Sequence, residues 1–194
     1  MPLLSADQLT IQRGDRALLR DFDLRLAAGE LLHLRGANGI GKTSLLETLA
    51  GLRRPAAGQC RLADEAAGLH WLGHRNGLNL QLSAIDNLRF WCGINGASPA
   101  GIDAALAGVE LPARARRRAC RSLSAGQKRR SALARLLLQP RPVWLLDEPL
   151  DGLDAGGLAL FAALTQAHLA QGGAVLMTSH QTLPAPLAAR ELIL

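Results

Sequence analysis

The sequence predicts an α/β fold in which a mainly parallel sheet is interrupted by a helical insertion, and three observations carry that expectation. Val143–Asp147 and Ala174–Thr178 are short apolar runs, uncharged until their last residue, as strands covered on both faces require. Glu30–Arg35 reads as a strand that runs straight into a glycine-rich turn and a helix beginning near Lys42. From about Ser83 to Gln139 the apolar residues recur at helical spacing.

The remaining elements follow in chain order. Leu18–Leu26 places Phe22, Leu24 and Leu26 at alternate positions, which predicts a half-buried strand, and Leu69–Gly73 predicts another short one. Ser83 opens a helix carrying Ile85, Leu88 and Trp91 on one face, and Ile102–Val109 forms a second short helix. Ser124–Leu138 is the strongest helix in the chain: Ser124 and Gln127 have capping-box spacing, and Pro140 ends it. A helix from about Ala155 to Gln171 separates the two apolar strands.

Composition bounds the function. The chain has 194 residues, 48% hydrophobic and 20% charged, which suits one packed domain and excludes a disordered polymer. Its longest apolar candidate for a membrane span, Leu158–Ala170, is too short and carries Thr165, Gln166 and His168. The N-terminus lacks a basic start followed by an apolar core, so a cytosolic, soluble protein is expected. Cys60, Cys92 and Cys120 are too dispersed for a disulfide framework or a metal cluster. The net charge of +6 is compatible with nucleic acid, an anionic membrane surface or a nucleotide. Aromatic residues make up only 3%, with no Tyr, so stacking platforms for single-stranded nucleic acid are scarce.

Gly36-Ala37-Asn38-Gly39-Ile40-Gly41-Lys42-Thr43 fits the phosphate-loop pattern in full, between a strand and a helix. Glycines let successive amides turn inward around phosphate oxygens, and the following helix presents its positive end. Lys42 supplies a cation for the outer phosphates and the Thr43 hydroxyl a ligand for Mg²⁺. No N-K-x-D string is present, so a GTPase is not expected. Asp147 and Glu148 end the apolar strand on the edge where open α/β sheets bind ligands. Asp147 is expected in the Mg²⁺ shell, and Glu148 is placed to polarise a water for attack on the γ-phosphate.

Leu123-Ser124-Ala125-Gly126-Gln127 opens the strongest helix and resembles the LSGGQ signature of the ABC-transporter ATPase family, with Ala125 where the first glycine usually stands. Leu153-Asp154 matches that family's D-loop, and Thr178-Ser179-His180 its switch histidine. The resemblance implies an ABC ATPase fold: a P-loop NTPase (RecA-like) core with a mainly parallel sheet, N-terminal antiparallel strands and a helical insertion. It implies ATP and Mg²⁺ as cofactors, His180 as a γ-phosphate sensor, and a homodimer arranged head to tail. In that dimer the signature of one copy, Leu123 to Gln127, closes on the nucleotide held by the other. Ser124 would serve equally as an ordinary helix cap. Residues 1–194 are expected to form a single ABC ATPase domain, with a nucleotide-binding core at 1–73 and 140–194 and a helical subdomain at 74–139.

Two positions depart from the family pattern. Arg13-Gly14 stands where an aromatic usually stacks on adenine; Arg13 either stacks its guanidinium plane there or is a solvated strand end. His74 occupies the position of the Q-loop glutamine, which links the attacking water to the transporter interface. With the run LGHRNGLNLQLSAIDNLRF and the TSHQ after the last core strand, these departures make the chain similar to the ATP-binding subunits of haem-exporter-type transporters in bacterial cytochrome c maturation.

That similarity implies a peripheral protein on the cytoplasmic face of the inner membrane, paired with an integral membrane permease subunit. There, ATP hydrolysis drives release of a haem-loaded chaperone. No C-x-x-C-H motif is present, so haem is not expected to touch this chain. Family members dock their membrane partner just after the Q-loop, within Asn76–Trp91. Leu78, Leu80, Leu82, Phe90 and Trp91 either line that surface or pack into the helical insertion, and Phe90 is expected in the core. Five arginines between Arg114 and Arg121 form a solvated helical face or are drawn to an anionic leaflet. The alternatives are the ATPase of another small ABC exporter, a scaffold with a vestigial site, and a soluble ABC ATPase acting on nucleic acid. The last is disfavoured because such proteins usually carry two cassettes or a coiled-coil insertion.

Overall fold

The computed structural model describes residues 1–194, and the chain separates into two compact units. The first comprises Met1–Gly73, Arg141–Pro149 and Ala162–Leu194; the second comprises His74–Pro140 and Leu150–Phe161.

The first unit holds every strand. β1 (Pro2–Arg13), β2 (Arg16–Ala27) and β4 (Ala57–Leu62) form an antiparallel sheet with β1 in the centre. β3 (Leu31–Arg35), β5 (Leu69–Leu72), β6 (Val143–Leu146), β7 (Ala174–Thr178) and β8 (Arg190–Ile193) form a parallel sheet in the order β5-β6-β7-β3-β8. Burial follows that order. All of β6 and β7 is buried, and so is β3 up to Arg35, whereas edge strands β5 and β8 keep partly or fully exposed residues. Leu9, Ile11, Leu24 and Leu26 of the antiparallel sheet share one core with Leu32, Leu34, Leu145 and Leu176 of the parallel sheet. Leu45, Leu46 and Leu49 of α1 (Lys42–Leu49) complete that core.

Because β3, β6 and β7 are parallel neighbours, their C-terminal ends emerge at one edge. The register pairs Leu34 with Thr178 and Leu146 with Met177. The phosphate loop, Asp147-Glu148 and Ser179-His180 therefore leave the sheet side by side.

The second unit is helical: α2 (Ala84–Asn95), α3 (Ile102–Gly108), α4 (Ala113–Arg116), α5 (Ala125–Leu138) and the start of α6 (Ala155–Ala170). Caps define its boundaries. Ser83 accepts a bond from the Asp86 amide at 3.1 Å, and Gly96 ends α2 with a left-handed φ of 64°. Leu88, Leu106, Val109, Cys120, Leu133 and Leu136 fill its core. Asn87, 5% exposed, fixes the segment before α2: its side chain accepts from the Asn79 amide at 2.8 Å and donates to the Asn79 and Ser83 carbonyls. The Cys120 and Arg121 amides donate to the Leu82 and Leu80 carbonyls, both at 2.8 Å. Phe90 lies outside this core: it is 67% exposed, and Leu80, Leu82 and Ile94 are exposed with it. Its neighbour Leu88 carries the apolar face of α2 inward, which turns Phe90 to solvent. No helix is long and apolar enough to cross a membrane.

Candidate functional site

The loop from Gly36 to Thr43 is shaped by backbone that other residues rarely adopt: φ is +146° at Gly36, +78° at Gly39 and +126° at Gly41. A methyl group at Gly41 would also come within 3.2 Å of Leu18 Cβ. Gly41 heads α1 and supplies no side-chain cap, so the first amides of that helix are not claimed by a capping oxygen. Ala37, Asn38 and Ile40 fill the remaining loop positions, with the Ile40 amide closing a turn on the Ala37 carbonyl at 3.3 Å. Lys42 is 9% exposed and folds its ammonium back into the loop, donating to the Gly36 carbonyl at 2.8 Å and the Ala37 carbonyl at 3.2 Å. The cation is thereby held within the loop.

Across the sheet edge, the Thr43 hydroxyl donates to Asp147 Oδ2 at 2.9 Å. Thr178 donates to Asp147 Oδ1 at 2.7 Å, and its oxygen accepts from the Glu148 amide at 2.9 Å. Asp147 is 3% exposed, with both carboxylate oxygens receiving a hydroxyl proton. Such a carboxylate beside a hydroxyl is a hard-oxygen donor pair suited to Mg²⁺, so Thr43 and Asp147 fit the ion that the sequence predicts.

Glu148 is 7% exposed and has φ +48°, a left-handed conformation that a non-glycine residue holds at a cost of roughly 1–3 kcal/mol. His180 addresses both of its oxygens. The His180 backbone amide donates to Oε2 at 3.0 Å, and the ring Nε2 lies 3.4 Å from Oε1. The ring is 56% exposed while the Glu148 side chain is 9% exposed, so the pair joins a solvent-facing imidazole to a nearly dry carboxylate.

The other predicted residues belong to different parts of the chain. Arg13 is exposed at the end of β1, paired across the hairpin with Arg16, as a solvated strand end would be. In the second unit, Ser124 caps α5 through a complete capping box: its hydroxyl accepts from the Gln127 amide, and Gln127 Oε1 accepts from the Ser124 amide, both at 3.2 Å. Leu123 anchors that turn at 4% exposure. A methyl group at Gly126 would fall 2.9 Å from the Gly152 carbonyl. Ala125 is tolerated where the family has glycine because its neighbour Gly152 has no side chain; a Cβ there would stand 3.3 Å from that of Ala125.

Leu153 precedes Asp154, whose carboxylate caps α6 by accepting from the Gly157 amide at 2.8 Å. Arg130 donates to the same oxygen at 3.2 Å and to Glu110 at 2.9 Å. The Gly157 bond first and the guanidinium second hold the Asp154 carboxyl below its ordinary range. His74 is 65% exposed, with Nδ1 3.8 Å from Asp151 Oδ2.

Two functional contacts escape the sequence reading. Thr178 reads as the end of a buried strand and the start of the switch-histidine match, yet it also ties Asp147 to Glu148; its signal is a polar residue closing an apolar run, as Asp147 does. Arg130 links Asp154 to Glu110 across distant sequence, and nothing local marks it.

The ABC transporter family model matches residues 19–151. A cytochrome c biogenesis ATP-binding export protein CcmA from Rhodobacter capsulatus is 52% identical over 93% of this chain and 82% of its own length. Proteins of the same name are 46% identical in Methylococcus capsulatus (93% of this chain, 92% of theirs) and 47% identical in Hyphomonas neptunium (97% and 95%). Among solved structures, an ABC transporter ATP-binding protein from Pyrococcus furiosus superposes with a TM-score of 0.81 at 23% identity, covering 97% of this chain and 96% of that one. The ATP-binding cassette MJ0796, solved as a dimer bound to ADP and Pi, superposes with a TM-score of 0.78 at 22% identity over 92% of this chain and 88% of its own. At those identities the structures speak to the fold, which is that of an ABC ATPase. From the sequence likeness, the chain belongs to the ABC transporter ATP-binding family and, within it, to the CcmA group of cytochrome c biogenesis ATP-binding export proteins.

Proposed function

We propose that this chain is the ATP-hydrolysing subunit of a membrane ABC transporter complex in c-type cytochrome biogenesis, working in haem handling by driving release of a haem-loaded chaperone. The observation that carries the reading is the pair of carboxylates at the end of β6, one fixed between two hydroxyls and the next held by His180. Lys42 and the amides of Gly36 to Thr43 grip the phosphates. Thr43 and Asp147 would hold Mg²⁺, which would supply positive charge to offset that of the phosphate oxygens. Glu148 accepts a hydrogen bond from the attacking water and orients it, and its low exposure keeps bulk water from competing. His180 holds Glu148 and stands ready to reach the γ-phosphate.

Ser124, Ala125 and Gly126 act on the nucleotide of a second copy in a head-to-tail homodimer, with Leu153 and Asp154 as the D-loop beside them. The dimeric state of the MJ0796 cassette is consistent with that arrangement. The partner in the membrane is an integral, CcmB-like permease subunit, which seats this chain peripherally on the cytoplasmic face of the inner membrane. Support comes from the exposed apolar side chains of Leu80, Leu82, Phe90 and Ile94, in and just after the segment where the sequence resemblance puts the docking surface. His74 stands at the Q-loop position, exposed and beside Asp151. Haem is carried by other members of the complex, not by this chain.

The test is Glu148→Gln in the purified chain. ATP binding is expected to persist, a nucleotide-bound dimer to accumulate, and turnover to fall by at least ~10², the scale of one positioned catalytic group. Unimpaired turnover would remove Glu148 from its role.

A further inference from the structure

His33 is anomalous in its strand. β3 reads Leu31-Leu32-His33-Leu34, and the three leucines are exposed by 3% or less. An imidazole among them, itself 4% exposed, loses water that only a specific partner can replace. That partner is the carbonyl of Ser179, 146 residues on in sequence, at 3.1 Å from His33 Nε2. A carbonyl only accepts, so Nε2 carries the proton and the ring donates. A cavity of about 310 Å³ lies beside this contact, lined by His33, Ser179, His180 and Gln181 among others, so the loop is not held there by dense packing.

The carbonyl of Ser179 and the amide of His180 belong to one peptide unit. Its oxygen accepts from His33, and its N–H, pointing the opposite way, donates to Glu148 Oε2 at 3.0 Å. The peptide is rigid and planar, so fixing one end fixes the other. A proton donated to the oxygen also polarises the unit and strengthens its N–H as a donor. The chain of contacts therefore runs from a buried ring on β3, through one peptide bond, to the carboxylate at the end of β6. The Ser179 hydroxyl, which accepts from the Gln181 amide at 2.9 Å, tightens the turn.

We infer that His33 is a positioning residue for ATP hydrolysis, holding the Ser179–His180 peptide so that its N–H orients the Glu148 carboxylate. This rests on Glu148 acting as the water-orienting group. Three substitutions separate position from bulk. His33→Leu fills the site but removes the donor; His33→Asn keeps a polar amide but retracts it toward the Nδ1 position; His33→Gln places an amide close to where Nε2 stands. Basal ATP hydrolysis of the full chain is expected to fall about tenfold in kcat for the Leu and Asn variants, the scale of one hydrogen bond. KM for ATP should stay within about twofold, and the Gln variant should recover most of the loss.

In a Glu148→Gln background the Leu substitution should cost less than about twofold further, because both changes act through one contact. If His33→Leu folds poorly, the Asn and Gln pair decides alone. A Gln variant as slow as the Asn variant, a loss confined to KM, or a full tenfold drop in the Glu148→Gln background each overturns the inference and leaves the role of Glu148 standing. Unimpaired turnover of Glu148→Gln by itself removes both.

Discussion

Replacing Thr178 by Val tests whether one hydroxyl couples the two carboxylates. Thr178 is fully buried, and valine keeps its shape while deleting the group that donates to Asp147 Oδ1 at 2.7 Å and accepts from the Glu148 amide at 2.9 Å. Taking the acceptor from a buried amide costs roughly 1–3 kcal/mol, and losing a bond to a charged acceptor roughly 1.5–3 kcal/mol. Allowing for relaxation, the variant should lose about 3 kcal/mol. In a chain of this size, where each kcal/mol moves Tm by about 2–4 °C, that is about 6–12 °C. Thr178→Ser keeps both bonds and deletes one methyl, which costs about 1 kcal/mol. Urea unfolding followed by circular dichroism measures both, with an unchanged slope required for the comparison. The Val variant should also turn over ATP more slowly, since Asp147 and Glu148 lose their common tie. A Val variant no less stable than the Ser variant would refute the coupling.

Three further outcomes follow from the same geometry. Mixing a Lys42→Ala chain with a Ser124→Ala chain should restore ATPase activity, because one intact pocket forms from two defective copies; pairing without recovery would contradict the head-to-tail arrangement. Replacing Phe90 and Ile94, 67% and 69% exposed, by Asp should abolish co-purification with the membrane subunit while basal ATPase activity persists. His168 stacks on Trp144 with ring centroids 3.9 Å apart, and burial holds its imidazole below the ordinary value against the opposing pull of the Ala174 and Pro142 carbonyls. The unfolded chain then takes up a proton near pH ~6.5 that the folded chain refuses, so stability is complete above that pH and declines as pH falls below it. His168→Phe should flatten that decline between about pH 7 and 5 in urea midpoints; an unchanged slope would assign it to other groups.

What the sequence could reveal depended on whether its signal was local. The phosphate loop, the capping box at Ser124 and Gln127, and the apolar runs of β6 and β7 each announce themselves within a few residues, and each stands where the pattern puts it. β4 does not: Gly58, Gln59 and Arg61 are exposed, and the strand exists because β1 offers it an edge to pair with. β8 is similar, an exposed tetrapeptide made regular by β3. Phe90 misleads for a related reason. Its aromatic side chain suggests a core position, but two residues from the buried Leu88 it stands on the far side of α2, and no neighbouring element covers it. At the site, residue types were legible and bonds were not. Thr178 and Glu148 are 30 residues apart, and only the parallel pairing of β6 with β7 makes them neighbours.

The proposed phosphate contacts share a feature that bears on how tightly ATP can close two copies together. Lys42 already donates to two loop carbonyls, so a phosphate gains only the difference between its own bond and theirs. At α5 the economy is similar. A helix start leaves four N–H groups without intrahelical partners, and the capping box takes those of Ser124 and Gln127. Those of Ala125 and Gly126 remain, and they sit on the smallest side chains in the turn, where an anion can approach the backbone. The charge gained there is that of amides and a helix end, worth roughly 0.3–1 kcal/mol at an exposed site, far less than a fixed cation would give. A clamp built from exchanged bonds and weak dipoles binds through the sum of many contacts to an intact triphosphate. It therefore releases once hydrolysis removes the outermost one, which is what a reversible engine requires.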